Sequence, residues 1–188
     1  MFGFAAPPGT ELSPIPKNSA GIAAESCAKT ILVMHTPIAI RQASRADITA
    51  LVGLLQQLFS IEQDFQPDPN KQYCGLELLL ESDLAQVFVA ECGNRIVGML
   101  TVQILISTAQ GGPVGLVEDV VVDAASRGQG IGGVLLEHLR QWSQQQGLSR
   151  LQLLADRGNV RALEFYQKQG WMLTSLGGLR LLLEPQDR

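Results

Sequence analysis

Residues 117–133, VEDVVVDAASRGQGIGG, decide how the rest of the chain is read. Residues 117–123 form a short apolar run and predict a buried strand. Glu118 and Asp119 interrupt that run, and burying a carboxylate is costly unless it has a partner or a task. Neighbours on a strand face opposite sides, so only one of the two points to a given face unless a bulge re-aims the other. Arg127, Gly128, Gln129, Gly130, Ile131, Gly132 and Gly133 then lead into a helical spacing of apolar residues, Val134, Leu135, Leu139 and Trp142. The first amides of a helix lack intrahelical partners and carry partial positive charge. Glycines let an anion approach the backbone, so the stretch predicts a phosphate site made of main-chain donors and one arginine.

Outward from this centre, Gly147 ends the helix. Residues 151–155 read as a buried strand and 159–169 as a second helix, with Asn159 as its cap and Gly170 as its stop. Residues 171–176 and 179–183 predict a final pair of strands. Upstream, 87–91 and 96–107 are two strands joined at Cys92-Gly93-Asn94, a hairpin signal. Gly111-Gly112-Pro113 turns the chain into the central strand. Residues 38–41 alternate as a first strand. Ser44 caps the next helix with Asp47 in its first turn, and Ile48, Leu51, Val52, Leu55, Leu58 and Phe59 give that helix one apolar face. A second amphipathic piece surrounds residues 76–80. Strands followed by strand–helix–strand–helix give a mixed α/β sheet with helices on both faces. Residues 1–36, rich in Pro, Ala, Gly and Ser, predict a disordered or loosely packed extension, leaving 37–188 as the domain. Met34 offers an alternative start.

Composition narrows the function. A net charge of −4 and a pI near 5.2 oppose a general nucleic-acid binder. No apolar run approaches the roughly 20 residues of a membrane span. Cys27, Cys74 and Cys92 show no paired spacing and read as reduced thiols in a cytoplasmic protein. His35 and His138 are too scattered for a metal site. Gly128-x-Gly130-x-x-Gly133 also spells a dinucleotide fingerprint. That fingerprint should follow its strand at once and open a longer doubly wound domain, whereas here 124–127 intervene and three strands precede it.

Arg127-x-x-Gly130-x-Gly132 after a strand resembles the acetyl-CoA pyrophosphate loop of the GNAT superfamily of N-acetyltransferases. Asn159 and the run Phe165-Tyr166-Gln167-Lys168-Gln169-Gly170-Trp171 are similar to the second motif of that family, and the likeness extends over 37–183. The resemblance implies the GNAT fold, a mixed sheet whose central strand carries a bulge and splays from its neighbour. It implies acetyl-CoA as co-substrate, with the backbone of Val120, Val121 and Val122 along the pantetheine arm. The amides from Gly128 through Gln129, Gly130, Ile131 and Gly132 to Gly133, with Arg127, would hold the pyrophosphate, and Asn159 would reach the arm. Tyr166 would stand near the sulfur as the acid. Glu118, ahead of Asp119, is the favoured base for an acceptor ammonium. Phe65 and Tyr73 are candidate walls for the acceptor. Cys74 and Cys92 lie outside the motifs, which favours direct transfer in a ternary complex over an acyl-enzyme. The expected acceptor is a primary amine of a small molecule or a protein N-terminus. The alternative is a non-catalytic acyl-CoA-binding sensor or interaction module. The resemblance also implies a homodimer through the terminal strands.

Overall fold

The sheet grows by hairpins before it grows by a crossover. In the computed structural model, which describes residues 37–62 and 65–183, β2 (Ala85–Cys92) and β3 (Arg95–Ser107) pair antiparallel across a tight turn in which Gly93 takes a φ of 61°. β1 (Ile38–Gln42) adds to β2 and β4 (Gly112–Val122) adds to β3, both antiparallel. β5 (Leu151–Leu153) lies parallel to β4, giving the order β1-β2-β3-β4-β5. α1 (Ile48–Phe59) and α2 (Pro69–Glu81) connect β1 to β2. α3 (Ile131–Gln145) makes the crossover from β4 to β5, and α4 (Val160–Lys168) follows β5. The predicted extension over 1–36 lies outside the described residues.

Two apolar cores cover the two faces. On one, Ile48, Leu51, Leu54 and Leu55 of α1 and Leu76 of α2 pack on Val87, Val89, Met99 and Val121. On the other, Ile131, Leu135, Leu136 and Leu139 of α3 pack on Phe88, Ala90, Leu100, Val102 and Val117. Val117 and Val121 are four residues apart and would share a face on a regular strand. They lie in opposite cores because β4 carries one extra residue: Met99 pairs with Val121 and Thr101 with Glu118, so Asp119 and Val120 together oppose Leu100.

β1 and α1 are tied by charge. The Arg41 guanidinium meets Asp47 at 2.8 Å and Glu91 at 2.6 Å. That pairing holds the Asp47 carboxyl at about 2, below the usual carboxylate range. The expected cap is present at this helix entry. Ser44 is the N-cap of a single 3-10 turn (Arg45–Asp47) that leads into α1, with Asp47 in its first turn, and in this capping box the Asp47 carboxylate accepts from both the Ser44 amide (2.7 Å) and its hydroxyl (2.9 Å).

Two boundaries differ from the sequence expectation. β4 starts at Gly112, before 117, and runs through Pro113. Proline lacks the N–H a ladder needs, but β5 pairs only with Gly115, Leu116 and Val117, so Pro113 forfeits nothing there. The final strand pair over 171–176 and 179–183 is absent: those residues form no strand and their leucines are exposed. Strand-like composition reports propensity, not the presence of a neighbour to pair with.

Candidate active site

β4 has a ladder partner on the β5 side only from Gly115 to Val117. From Glu118 onward its edge toward β5 is unpaired among the described strands, and the expected splay of the central strands is present. Val120 and Val122 of the splayed part are half-buried. They pack against the same core as Leu151 and Leu153 of β5 and Phe165 and Tyr166 of α4.

The glycine loop lies at the end of this slot. Gly128 and Gly130 both take a φ of 79°, a left-handed conformation that glycine adopts without strain, and a Cβ at either would meet no atom within 4 Å. Gly130 is the N-cap of α3 and offers no side chain to the first-turn amides. Ile131 is buried and anchors the loop. Gly132 serves packing: a Cβ there would come within 3.0 Å of the Phe165 ring, so it lets α3 approach α4 closely. The Arg127 guanidinium is exposed and donates from Nε to the Val122 carbonyl at 3.1 Å, which holds it beside the loop. Asn159 caps α4 as expected, its side-chain oxygen accepting from the Ala162 amide at 3.1 Å. These residues fit an acyl-CoA: free strand edge for the arm, open glycines and helix amides for the phosphates.

The two carboxylates are brought to one face by the bulge. Asp119 adopts a φ of 55°, the one described non-glycine residue in the left-handed region, where the short polar side chain of Asp is tolerated better than most. Its carboxylate accepts from the Thr101 hydroxyl at 3.1 Å, and the Glu118 carboxylate accepts from the Gln103 amide at 3.1 Å. Thr101 and Gln103 are alternate residues of β3 and share a face, so Glu118 and Asp119 do too. Their settings differ. Glu118 is exposed, while Asp119 is half-buried and enters a cleft of about 280 Å³. Burial pushes the Asp119 carboxyl up to about 6, with the Glu118 and Glu62 charges adding and the Thr101 hydrogen bond opposing.

The cleft is walled by Leu55 and Phe59 of α1, Phe65, and Leu76 and Leu79 of α2. Phe65, one of the two candidate walls, therefore lines this cleft. Tyr73 is exposed and not part of the lining. Arg180 stacks 4.6 Å over the Phe65 ring. Tyr166 stands in an aromatic group with Phe165 and Trp171, at ring separations of 5.3 and 5.9 Å. Burial, with the Glu62 charge, raises its phenol to about 12. The Glu62 charge thus raises both the Asp119 carboxyl and the Tyr166 phenol.

Sequence reasoning missed Gln57 and Glu62. The Gln57 side chain donates to Asp123 at 3.1 Å and accepts from the Ala124 amide at 3.0 Å, clipping α1 to the turn that precedes the loop. Nothing but its place on the polar edge of α1 marks it. Cys74 is exposed and Cys92 half-buried, and neither is in a disulfide among the described residues.

The model of the acetyltransferase (GNAT) family matches residues 55–171, more than half of the chain. The chain belongs to the GNAT acetyltransferase family. GNAT acetyltransferases use acetyl-CoA. A glucosamine 6-phosphate N-acetyltransferase from Trypanosoma brucei brucei is 35% identical over 89 residues, which is 47% of this chain and 58% of that protein. The chain thus aligns with little more than half the length of that curated relative. Among solved structures, an aminoglycoside acetyltransferase from an uncultured soil metagenomic sample, in complex with trehalose, superposes with a TM-score of 0.66 at 26% identity, covering 78% of this chain and 97% of that one. A transcriptional regulator from Bacillus halodurans C-125 superposes with a TM-score of 0.69 at 28% identity, covering 78% and 100%. Among the described residues of this GNAT protein, no helix is long and apolar enough to cross a membrane.

Proposed function

We propose that this GNAT protein transfers an acetyl group from acetyl-CoA directly to a primary amine in a ternary complex. The observation that carries the reading is the β4 bulge. It coincides with the loss of β5 pairing on one side of the strand and the entry of Asp119 into an apolar-walled cleft on the other. The backbone of Val120, Val121 and Val122 is the edge for the pantetheine arm. A main-chain N–H of this segment is the donor to the acetyl oxygen. The amides from Gly128, Gln129 and Gly130 to Ile131, Gly132 and Gly133, with the Arg127 guanidinium, hold the pyrophosphate. Asn159 adds a contact to the arm.

Asp119 is the base, in preference to the Glu118 favoured on sequence. A carboxyl held near 6 is ionised at neutral pH yet basic enough to accept a proton from an ammonium, directly or through water. Glu118, exposed on the same face, draws the cationic acceptor toward the cleft. Tyr166, at about 12, remains protonated at neutral pH. A thiol has a pKa of about 8.5, so a full proton transfer from this phenol to the departing thiolate is uphill. Tyr166 therefore stabilises that thiolate as a hydrogen-bond donor. The acceptor is a small-molecule amine, in line with the glucosamine 6-phosphate and aminoglycoside enzymes it resembles. Cys74 and Cys92, neither of them in a disulfide among the described residues, are compatible with the cytoplasm. A homodimer formed through the leucine-rich tail completes the reading, supported by the exposure of Leu179, Leu181, Leu182 and Leu183.

Calorimetric titration with acetyl-CoA, followed by an amine panel read by free-thiol release, tests this. Micromolar binding with turnover of at least one amine is expected. Binding with no turnover of any amine would favour a non-catalytic acyl-CoA sensor.

A further inference from the structure

Gln72, in the first half of α2, is 7% exposed, yet neither its side-chain oxygen nor its nitrogen has a hydrogen-bond partner among the described residues. Buried amides are normally satisfied, and an unsatisfied one needs a reason. Gln72 lines the same cleft as Asp119, between the apolar walls of Leu55, Phe59, Leu76 and Leu79. The other charged lining residues, Asp68 and Lys71, lie 3.7 Å apart, and Asp68 is also spent in capping α2. Gln66 also lines the cleft but is exposed to solvent, so the buried part of the cleft presents the Asp119 carboxylate, the uncharged amide of Gln72, and hydrocarbon. A Met or Leu at position 72 would fill the same space in a helix at no desolvation cost.

We propose that Gln72 is a specificity-determining residue of the acceptor site, whose amide pairs with a hydroxyl on the body of the acceptor amine. A hydroxyl accepts from the Gln72 nitrogen and donates to its oxygen, satisfying both atoms at once. Asp119 meets the ammonium of the same molecule, and the apolar walls take its carbon frame. The preferred acceptor is thus a hydroxyl-bearing amine of the amino-alcohol or amino-sugar kind rather than a plain alkylamine. Sites built to pair a substrate hydroxyl reject analogues that lack it, because their own polar groups are then left unpaired. This proposal rests on the acetyltransferase reading above.

The test uses Gln72→Met, which keeps length and helix propensity and deletes both polar atoms. Thermal unfolding without ligand comes first. Removing an unsatisfied buried amide raises the melting temperature by about 2–4 °C. A fall would mean that Gln72 has a structural partner and would overturn the proposal. Turnover is then compared on glucosamine and cyclohexylamine. The wild type is expected to favour glucosamine, and the variant to lose at least tenfold in kcat/KM on glucosamine while cyclohexylamine is unchanged or improved. Equal losses on both amines would overturn the assignment. So would a wild type that binds acetyl-CoA but acetylates neither amine. A folded wild type that does not bind acetyl-CoA would instead bring down the acetyltransferase reading, and this proposal with it.

Discussion

Asp119 is where backbone strain, burial and chemistry coincide. A bulge needs one residue in an unusual conformation, and an aspartate tolerates the left-handed region while supplying a carboxylate. The clean variant is therefore Asp119→Asn, which keeps shape and backbone tolerance and removes only the charge. Its kcat is expected to fall about 100-fold, with acetyl-CoA affinity unchanged by calorimetry. For the wild type, activity requires the ionised carboxylate, so kcat/KM rises with pH through an apparent pKa of about 6 and then levels. The variant should lack that limb. The same shift predicts stability of the opposite sense. A carboxyl whose pKa is raised on folding favours the folded state below its unfolded value near 3.8, and that advantage is lost as pH rises through about 6. Asp119→Asn should therefore gain on the wild type in melts at pH 8 and not at pH 4. The acid pair was legible in the sequence as a conditional statement: one residue faces the slot unless a bulge intervenes. The bulge was implied only by the family resemblance. Its position follows from the register of β3 against β4, a pairing that no local pattern encodes.

At the scale of elements, the readable parts were those with a strong period or a local stop. α1, α3 and α4 appear within a residue or two of the expected spans, because apolar spacing, caps and terminal glycines are local signals. The β2–β3 hairpin was equally local. Gln57 and Gln72 were not readable, since a polar residue on an amphipathic helix reads as solvated until its neighbours are known. The loop from β4 to α3 carries the next prediction. Gly130→Glu puts a side chain at a φ of 79° and a negative charge at the amides assigned to the pyrophosphate. Acetyl-CoA affinity should fall at least tenfold, and stability by about 1 kcal/mol for the strained backbone. Gly111→Ala is the control. Gly111 has a φ of 66°, open space around it, and a position in the turn at the far end of β4. It should lose similar stability and keep full affinity by calorimetry. Equal affinity losses in both variants would assign the effect to the fold rather than to the loop.

For the whole molecule, the sheet has one well-covered end and one thin one. β1, β2, β3 and β4 are held by long antiparallel ladders and two cores, whereas β5 has three residues and a free outer edge among the described strands. Beyond it, Leu173, Leu176, Leu179, Leu181, Leu182 and Leu183 are exposed, Leu179 completely. So many adjacent leucines in water are unfavourable, at roughly 25 cal/mol for each Å² of apolar surface left uncovered. The expected cover is a second copy of the chain, because a short free strand edge and an apolar, strand-prone tail complement each other across a two-fold axis. Light scattering at micromolar concentration should give the mass of two chains. Leu179→Asp combined with Leu181→Asp should give the mass of one, with acetyl-CoA affinity retained because neither residue touches the cleft or the loop. A wild type that stays at one chain under these conditions would refute the dimer and leave the tail to fold back on its own β5 edge.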